Sequence, residues 1–190
     1  MGMTTAVHDS LTKHINVEFY SSYLYLSLSA YCESINLPGF ASWLRVQSRE
    51  ENDHAMRLFD YVNDREEKVL LMPISQPPLE FQSALDVMQS ALDHERKVTE
   101  LIHQAYALSI KEDDYATQVH LQWFITEQVE DEKEVHDIIE QLKMIGDKSD
   151  ALLILDRQLA ERGAWSFELY TRVHLKWLAI NHMGLGLISS

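Results

Sequence analysis

The sequence contains a single cysteine, Cys32, and therefore cannot form a disulfide within the chain. Only four prolines and six glycines occur among its 190 residues, which excludes a collagen-like or low-complexity chain. No run of about eighteen uninterrupted apolar residues is found, so we expect no membrane span. The first residues lack the charged and then apolar pattern of a secretory signal. Together with the lone cysteine, this predicts a cytoplasmic protein.

Basic residues are also scarce, because 16 lysines and arginines stand against 30 acidic residues, for a formal charge of −14. Affinity for a phosphate backbone comes from neutralising phosphates with Lys and Arg, so we expect no nucleic acid partner. Cations are the partners that this charge balance favours. With 46% hydrophobic and 24% charged residues, the composition is otherwise typical of a globular domain.

Helical periodicity is what the sequence has in abundance. Apolar residues recur at three- and four-residue spacing in five segments: 4–34, 40–64, 83–111, 115–145 and a shorter one at 147–162. The segment 68–82 holds three prolines and is longer than an ordinary loop, so we interpret it as a crossover between parallel helices. Two short connections and one long one predict an all-α four-helix bundle with a single crossover, plus a short C-terminal fifth helix.

The chain divides into one predicted domain and an extension. Residues 1–163 suit a single hydrophobic core, and we expect one domain there. Residues 164–190 are rich in aromatic and aliphatic side chains, and their role is unknown. They are compatible with a further helix, with a cover for an inner or outer surface, or with a disordered or non-native extension, and we favour the last.

Each of the four long helices carries an acidic residue within its apolar face. At 100° per residue, Glu18, Glu51 and Glu95 lie on the apolar faces of the first three helices. His54 follows Glu51 by one turn and is near enough to share a ligand site with it. The fourth helix has an acidic stripe beside its aromatic residues, formed by Glu127, Glu130, Asp131 and Glu134.

These inward acids need a partner, because burying an unpaired carboxylate costs at least several kcal/mol. The apolar faces contain no Lys or Arg that would neutralise them. A single inward Glu is usually a boundary residue, and a lone Glu-x-x-His occurs by chance in many helices. Inward acids on all four helices by chance would be far less common. The acids are then either protonated or compensated by bound metal ions. Carboxylates with one imidazole suit iron or manganese better than a thiolate-preferring metal, although zinc could compete.

Several separated segments carry polar and aromatic motifs: EFYSS at 18–22 with the tyrosine at 25, EENDH at 50–54, HE at 94–95 and WFITEQVE at 123–130. In order and spacing, these segments resemble the motifs of the ferritins, and specifically of the bacterial non-haem branch. The resemblance covers residues 4–163. It implies a ferritin-like fold and a di-iron ferroxidase centre that oxidises Fe(II) with O2 or H2O2. It also implies a homo-oligomeric shell of twenty-four subunits that stores the ferric mineral.

The same resemblance implies how the irons are held. Glu18 and His54 would bind the first iron, Glu51 would bridge the pair, and Glu95 with Asp131 would hold the second. Many bacterial ferritins have Glu where this chain has Asp131. Because its carboxylate is one methylene shorter, we expect weaker or only bridging attachment of the second iron. That position would then be a substrate site rather than a permanent cofactor site.

Further residues match other parts of the family pattern. Glu50, Glu127 and Glu130 correspond to a third iron site nearby, Tyr25 to a tyrosine thought to supply an electron, and Gln128 to a residue that orients solvent. The bacterioferritins instead have a second Glu-x-x-His on the fourth helix and a haem-binding Met. This chain has Glu at position 130 and Asn at position 52, so we expect no haem.

Two other functions remain open at the level of sequence. The first is a di-iron carboxylate oxidase or peroxidase that does not store iron and forms no shell. The second is a metal-free helical interaction protein that uses its C-terminal extension as a docking surface. Size separates the first from a storage protein, and bound metal separates the second.

Overall fold

The computed structural model of the chain describes residues 2–146 and 149–161. Four long helices are present: α1 (Thr5–Ser34), α2 (Pro38–Asp64), α3 (Ala84–Lys111) and α4 (Tyr115–Ile145). Residues 149–161 form a shorter helix, α5. No strand occurs in these ranges, and the predicted all-α bundle with a short fifth helix is confirmed. The predicted domain end at 163 and the extension 164–190 lie outside the described residues.

Polar side chains define where three of the helices begin. The Thr4 hydroxyl accepts the backbone N–H of Val7, Ser83 accepts from Asp86, and Asp114 accepts from Thr117. A helix leaves its first backbone N–H groups without internal partners, so each of these side chains stabilises a helix start by about 1 kcal/mol. None of the helices in the described ranges is long and apolar enough to cross a membrane.

The long connection between α2 and α3 runs beside α1 and in the same direction as α1. The His8 ring contacts the Lys68 carbonyl at 2.8 Å, and further along α1 the Asn16 amide donates to the Pro73 carbonyl. Near the far end, the Ser27 hydroxyl donates to the carbonyl of Pro78. The connection therefore carries the chain from one end of the bundle to the other. Because α2 and α3 both run opposite to α1, they are parallel, as the crossover prediction required.

Helix α5 docks onto the start of α2, which has no capping side chain of its own. The Asp156 carboxylate of α5 accepts the backbone N–H of Phe40 at 2.9 Å and so serves as the missing cap. The close approach depends on Gly39, because a Cβ atom there would lie 1.6 Å from the carbonyl oxygen of Asp156. The fifth helix is thus held at one end of the bundle by a glycine and a buried carboxylate.

Replacing Gly39 with alanine is expected to push α5 away from α2 and to lower the free energy of unfolding by about 1–3 kcal/mol. The added methyl would overlap a backbone atom, which cannot rotate away as a side chain can. Denaturant unfolding checks this, with Ser42→Ala in the same helix turn as the control. Equal stability of Gly39→Ala and Ser42→Ala would contradict the proposed docking contact.

The core is divided into two apolar clusters along the bundle axis. One cluster takes residues 24–32 of α1, 40–44 of α2, 84–92 of α3 and 135–142 of α4, together with α5. The other takes residues 7–15, 58–62, 98–105 and 121–124 of the same four helices. Every long helix passes from one cluster to the other. Between the two clusters, each long helix carries one buried acid: Glu18, Glu51, Glu95 and Asp131.

Candidate metal centre

The first part of the centre joins α1 and α2 through Glu18, Glu51 and His54. The three residues are 1%, 2% and 6% exposed. Each offers a ligand atom, and these atoms all lie within 4.8 Å of one another, as the ligands of a shared ion do. Nδ1 of His54 is 3.5 Å from Oε2 of Glu51 across one helical turn. The geometry therefore brings together the two helix faces on which the sequence predicted these ligands.

Glu95 of α3 and Asp131 of α4 lie outside this group of ligand atoms, but their charges act on Glu51. Glu95 is fully buried, and its Oε1 accepts a 2.6 Å hydrogen bond from the Tyr25 hydroxyl. The Gln128 amide donates to Oε2 of Glu95 at 3.3 Å and to its backbone carbonyl at 3.1 Å. The same amide lies 3.1 Å from the Thr99 hydroxyl. Two donors from α1 and α4 thus hold the carboxylate of Glu95 in one orientation.

Burial and mutual repulsion make these acids reluctant to ionise without a cation. The pKa of Glu51 is raised well above its usual range by burial and by the charges of Glu95, Glu18 and Asp131. Burial raises the pKa of Glu95 to about 7, against the lowering effect of its hydrogen bonds. Burial and the neighbouring carboxylates raise the pKa of Asp131 to about 8. A cation placed among them would stabilise the ionised carboxylates and so offset all three shifts.

Two buried carboxylate oxygens lack a hydrogen-bond partner within residues 2–146 and 149–161: Oε2 of Glu18 and Oδ2 of Asp131. Such groups are rare, because an unsatisfied buried acceptor costs about 1–3 kcal/mol. The two oxygens belong to opposite halves of the cluster. A pair of divalent cations would satisfy both, and the set of four carboxylates and one imidazole suits iron.

His14 is a residue of the centre that the sequence analysis missed. It is 3% exposed, and its Nε2 lies 2.9 Å from Oε1 of Glu18, one helical turn along α1. Burial would raise the pKa of Glu18, but the adjacent imidazoles of His14 and His54 outweigh burial and hold it below its usual range. The i, i+4 spacing of His14 and Glu18 was the available signal.

The remaining candidate acids belong to α2 and to the α4 stripe, and they lie at the border of the buried cluster. Glu50 and Glu127 are half-buried, whereas Glu130 is exposed. Glu134, which we expected on the inward stripe, is exposed as well, because Asp131 and Val135 take the inward positions. The negative charges of Glu127, Glu50 and Glu134 still contribute to the raised pKa of Asp131. A third metal position at this border stays a prediction.

His94, beside Glu95 on α3, is half-buried, and its Nε2 lies 2.7 Å from the Ser21 hydroxyl of α1. Its ring packs against Tyr20, with ring centroids 5.5 Å apart. Burial lowers the pKa of His94 to about 4. The helix face of α3 beside Glu95 is therefore partly covered by α1.

Comparison with known proteins gives consistent matches over this region. A family model of the ferritin-like domain matches residues 8–145, a range that contains every residue of the centre. A bacterial non-heme ferritin of Staphylococcus saprophyticus is 37% identical over 154 residues, which is 81% of this chain and 92% of that protein. A bacterial non-heme ferritin of Staphylococcus epidermidis is 35% identical over 153 residues, covering 80% and 92%.

Solved structures with the same architecture come from an archaeon. An engineered closed form of the Archaeoglobus fulgidus ferritin superposes with a TM-score of 0.83 and 42% identity, over 84% of this chain and 97% of that one. The open-pore ferritin of the same organism superposes with a TM-score of 0.82 and 42% identity, over 83% and 96%. The bundle, its crossover and its order of helices are thus shared with these proteins.

Proposed function

Because this chain belongs to the ferritin family, we propose that it oxidises Fe(II) at a di-iron centre and stores the ferric product inside a homo-oligomeric shell. Fe(II) and O2 or H2O2 are the proposed substrates, and the shell would contain twenty-four subunits, as the resemblance implies. The lone cysteine is compatible with the proposed cytoplasmic location. No haem is part of the proposal.

The observation that carries the proposal is the buried cluster of Glu18, Glu51 and His54 beside Glu95 and Asp131. A carboxylate cluster in an apolar core is unstable unless cations or protons compensate its charge. A metal-free role in protein interaction gives no reason for these five side chains to converge. Their unpartnered oxygens and raised pKa values both favour cation binding over a structural function.

In the proposed reaction, Glu18 and His54 bind one Fe(II), Glu95 and Asp131 bind the other, and Glu51 bridges them. Each iron gives up one electron, and O2 takes both electrons with two protons to become H2O2. The protein contributes positioning and charge compensation, because the carboxylates stabilise Fe(III) more than Fe(II). The ferric ions then leave for the interior of the shell, where acidic side chains would start the mineral.

Addition of Fe(II) to the metal-free protein in air tests the proposal. We expect a rapid rise in the ultraviolet absorbance of ferric species that saturates near two irons per chain, followed by slower growth of the mineral. A protein that forms the shell but oxidises iron no faster than buffer would contradict the ferroxidase part. Protein grown in iron-rich medium and found free of metal by elemental analysis would contradict metal binding altogether.

Substitution of Tyr25 by phenylalanine is expected to weaken the second metal position selectively. It removes the 2.6 Å hydrogen bond that orients Glu95, and losses of this kind typically reduce metal affinity about 10–100-fold. Anaerobic titration with Zn(II) resolves the two equivalents, and the first should bind as in wild type. Tyr20→Phe, in the neighbouring turn of α1, is the control. Equal weakening of both equivalents would contradict the assignment of Tyr25 to the second position.

A further inference from the structure

Glu18 differs from the other predicted ligands in the surroundings of its two oxygens. Oε1 lies 2.9 Å from Nε2 of His14, whereas Oε2 has no partner among the residues described. The two residues are 3% and 1% exposed, so solvent does not screen the contact. One oxygen is thus close to a residue of α1 itself, and the other is free to bind an ion shared with Glu51 and His54.

The ring of His14 is itself held by the packing of the bundle. Its edge meets Phe124 of α4 with the two ring planes at 85° and the centroids 6.3 Å apart. Its remaining surroundings include a cavity of about 60 Å³ lined by α1 and by Leu101 and Gln104 of α3. The ring is therefore packed against α4 and borders a small cavity that α3 also lines.

Direct ligation of the same ion by His14 fits the geometry less well. Within the described ranges, the group of ligand atoms that lie within 4.8 Å of one another comprises Glu18, Glu51 and His54, without His14. Ligands on opposite sides of one iron are closer together than this limit, at roughly twice a metal–ligand distance of about 2.1 Å. Nε2 of His14 is occupied instead by a close polar contact with Oε1 of Glu18, at 2.9 Å.

We propose that His14 is a positioning residue, which orients Glu18 so that Oε2 is presented to the first metal ion. The proposal rests on the proposed function. In each half of the centre, a carboxylate then has a neighbouring polar side chain beside one of its oxygens: Glu95 accepts hydrogen bonds from Tyr25 and Gln128, and Glu18 lies 2.9 Å from His14. Donors of this kind set the orientation and basicity of ligands in metal sites generally.

Anaerobic titration of the metal-free assembled protein with Co(II) tests this role, using His14→Leu, His14→Gln and the control Thr12→Val. Leucine removes the donor at similar volume, and glutamine keeps an N–H donor. We expect His14→Leu to weaken the first equivalent about 10–100-fold, while His14→Gln and Thr12→Val stay within about threefold of wild type. The visible spectrum of bound Co(II) should be the same in all four proteins, because the ligands do not change.

Three results would overturn the assignment. They are wild-type affinity in His14→Leu, equal weakening in His14→Gln and His14→Leu, and a changed Co(II) spectrum, which would make His14 a ligand. Thermal unfolding of the metal-free variants checks the fold, and His14→Met replaces the leucine variant if that variant does not fold. Wild-type protein that binds no Co(II) would contradict the proposed function itself, so the two failures are distinguishable.

Discussion

Replacement of Glu51 by alanine is expected to abolish the rapid phase of Fe(II) oxidation, lowering its rate more than about 100-fold. Loss of a residue that only orients a ligand typically costs 10–100-fold in affinity or activity, and Glu51 is proposed to contact both irons. Its carboxylate lies within 4.8 Å of the ligand atoms of Glu18 and His54. Stopped-flow absorbance after aerobic addition of Fe(II) measures the effect directly.

The loss should not come from unfolding. The pKa of Glu51 is raised well above its usual range by burial and by Glu95, Glu18 and Asp131, so its removal relieves repulsion in the metal-free protein. Asp53→Asn, two residues away on the exposed side of α2, is the matched control and should oxidise iron at the wild-type rate. A full rapid phase in Glu51→Ala would show that oxidation occurs elsewhere.

A second large effect concerns the pH dependence of stability in the metal-free protein. The pKa of Asp131 rises on folding from about 3.8 to about 8, because the side chain is buried and faces Glu95, Glu127, Glu50 and Glu134. The folded state therefore binds this proton more tightly than the unfolded state does. Its contribution to stability is fully present below about pH 4 and is lost as the pH rises toward 8.

Asp131→Asn isolates this contribution from that of other groups. The variant should become progressively more stable than wild type between about pH 4 and pH 8, by up to a few kcal/mol at the upper end. Comparison with wild type is required because His94 and His120 make stability rise with pH, opposite to Asp131. Burial lowers the pKa of each histidine to about 4, so the folded state binds their protons less tightly. Denaturant unfolding at several pH values provides the measurement.

Bound metal should make the wild type more stable than Asp131→Asn at neutral pH, the reverse of the order expected without metal. Zn(II), which undergoes no redox change, would compensate the charge of Asp131 in wild type and stabilise the folded state by mass action. The asparagine variant lacks that carboxylate and should gain less. A constant difference between the two proteins from pH 4 to pH 8, with or without Zn(II), would contradict the electrostatic account of the centre.

Most of the fold could be predicted because the helix ends are local features. Thr4 and Ser83 cap α1 and α3, and the predicted starts differ from the observed ones by one residue. The sequence predicts α2 from residue 40, whereas it begins at Pro38, since proline is tolerated in the first helical turn. The docking of α5 through Asp156 could not be predicted, because it joins residues more than a hundred positions apart.

In the candidate site too, features defined within one helix could be predicted, whereas features that depend on helix packing could not. Glu18, Glu51 and His54 could be found from helical periodicity, since their faces are defined by the neighbours on one helix. The position of Glu134 could not, because several acids lie on adjacent positions of α4 and the rotation of that helix decides which one is buried. The role of His14 depends on the cluster around Glu18 and required the packed bundle.

The central claim is that this chain forms a shell that oxidises and retains iron. Light scattering combined with iron analysis, before and after aerobic Fe(II) loading, tests assembly and storage in one experiment. We expect a particle of roughly half a megadalton from subunits of 22.1 kDa, whose size stays constant while iron accumulates inside it. A monomer or dimer, or iron that precipitates outside the protein, would contradict the account.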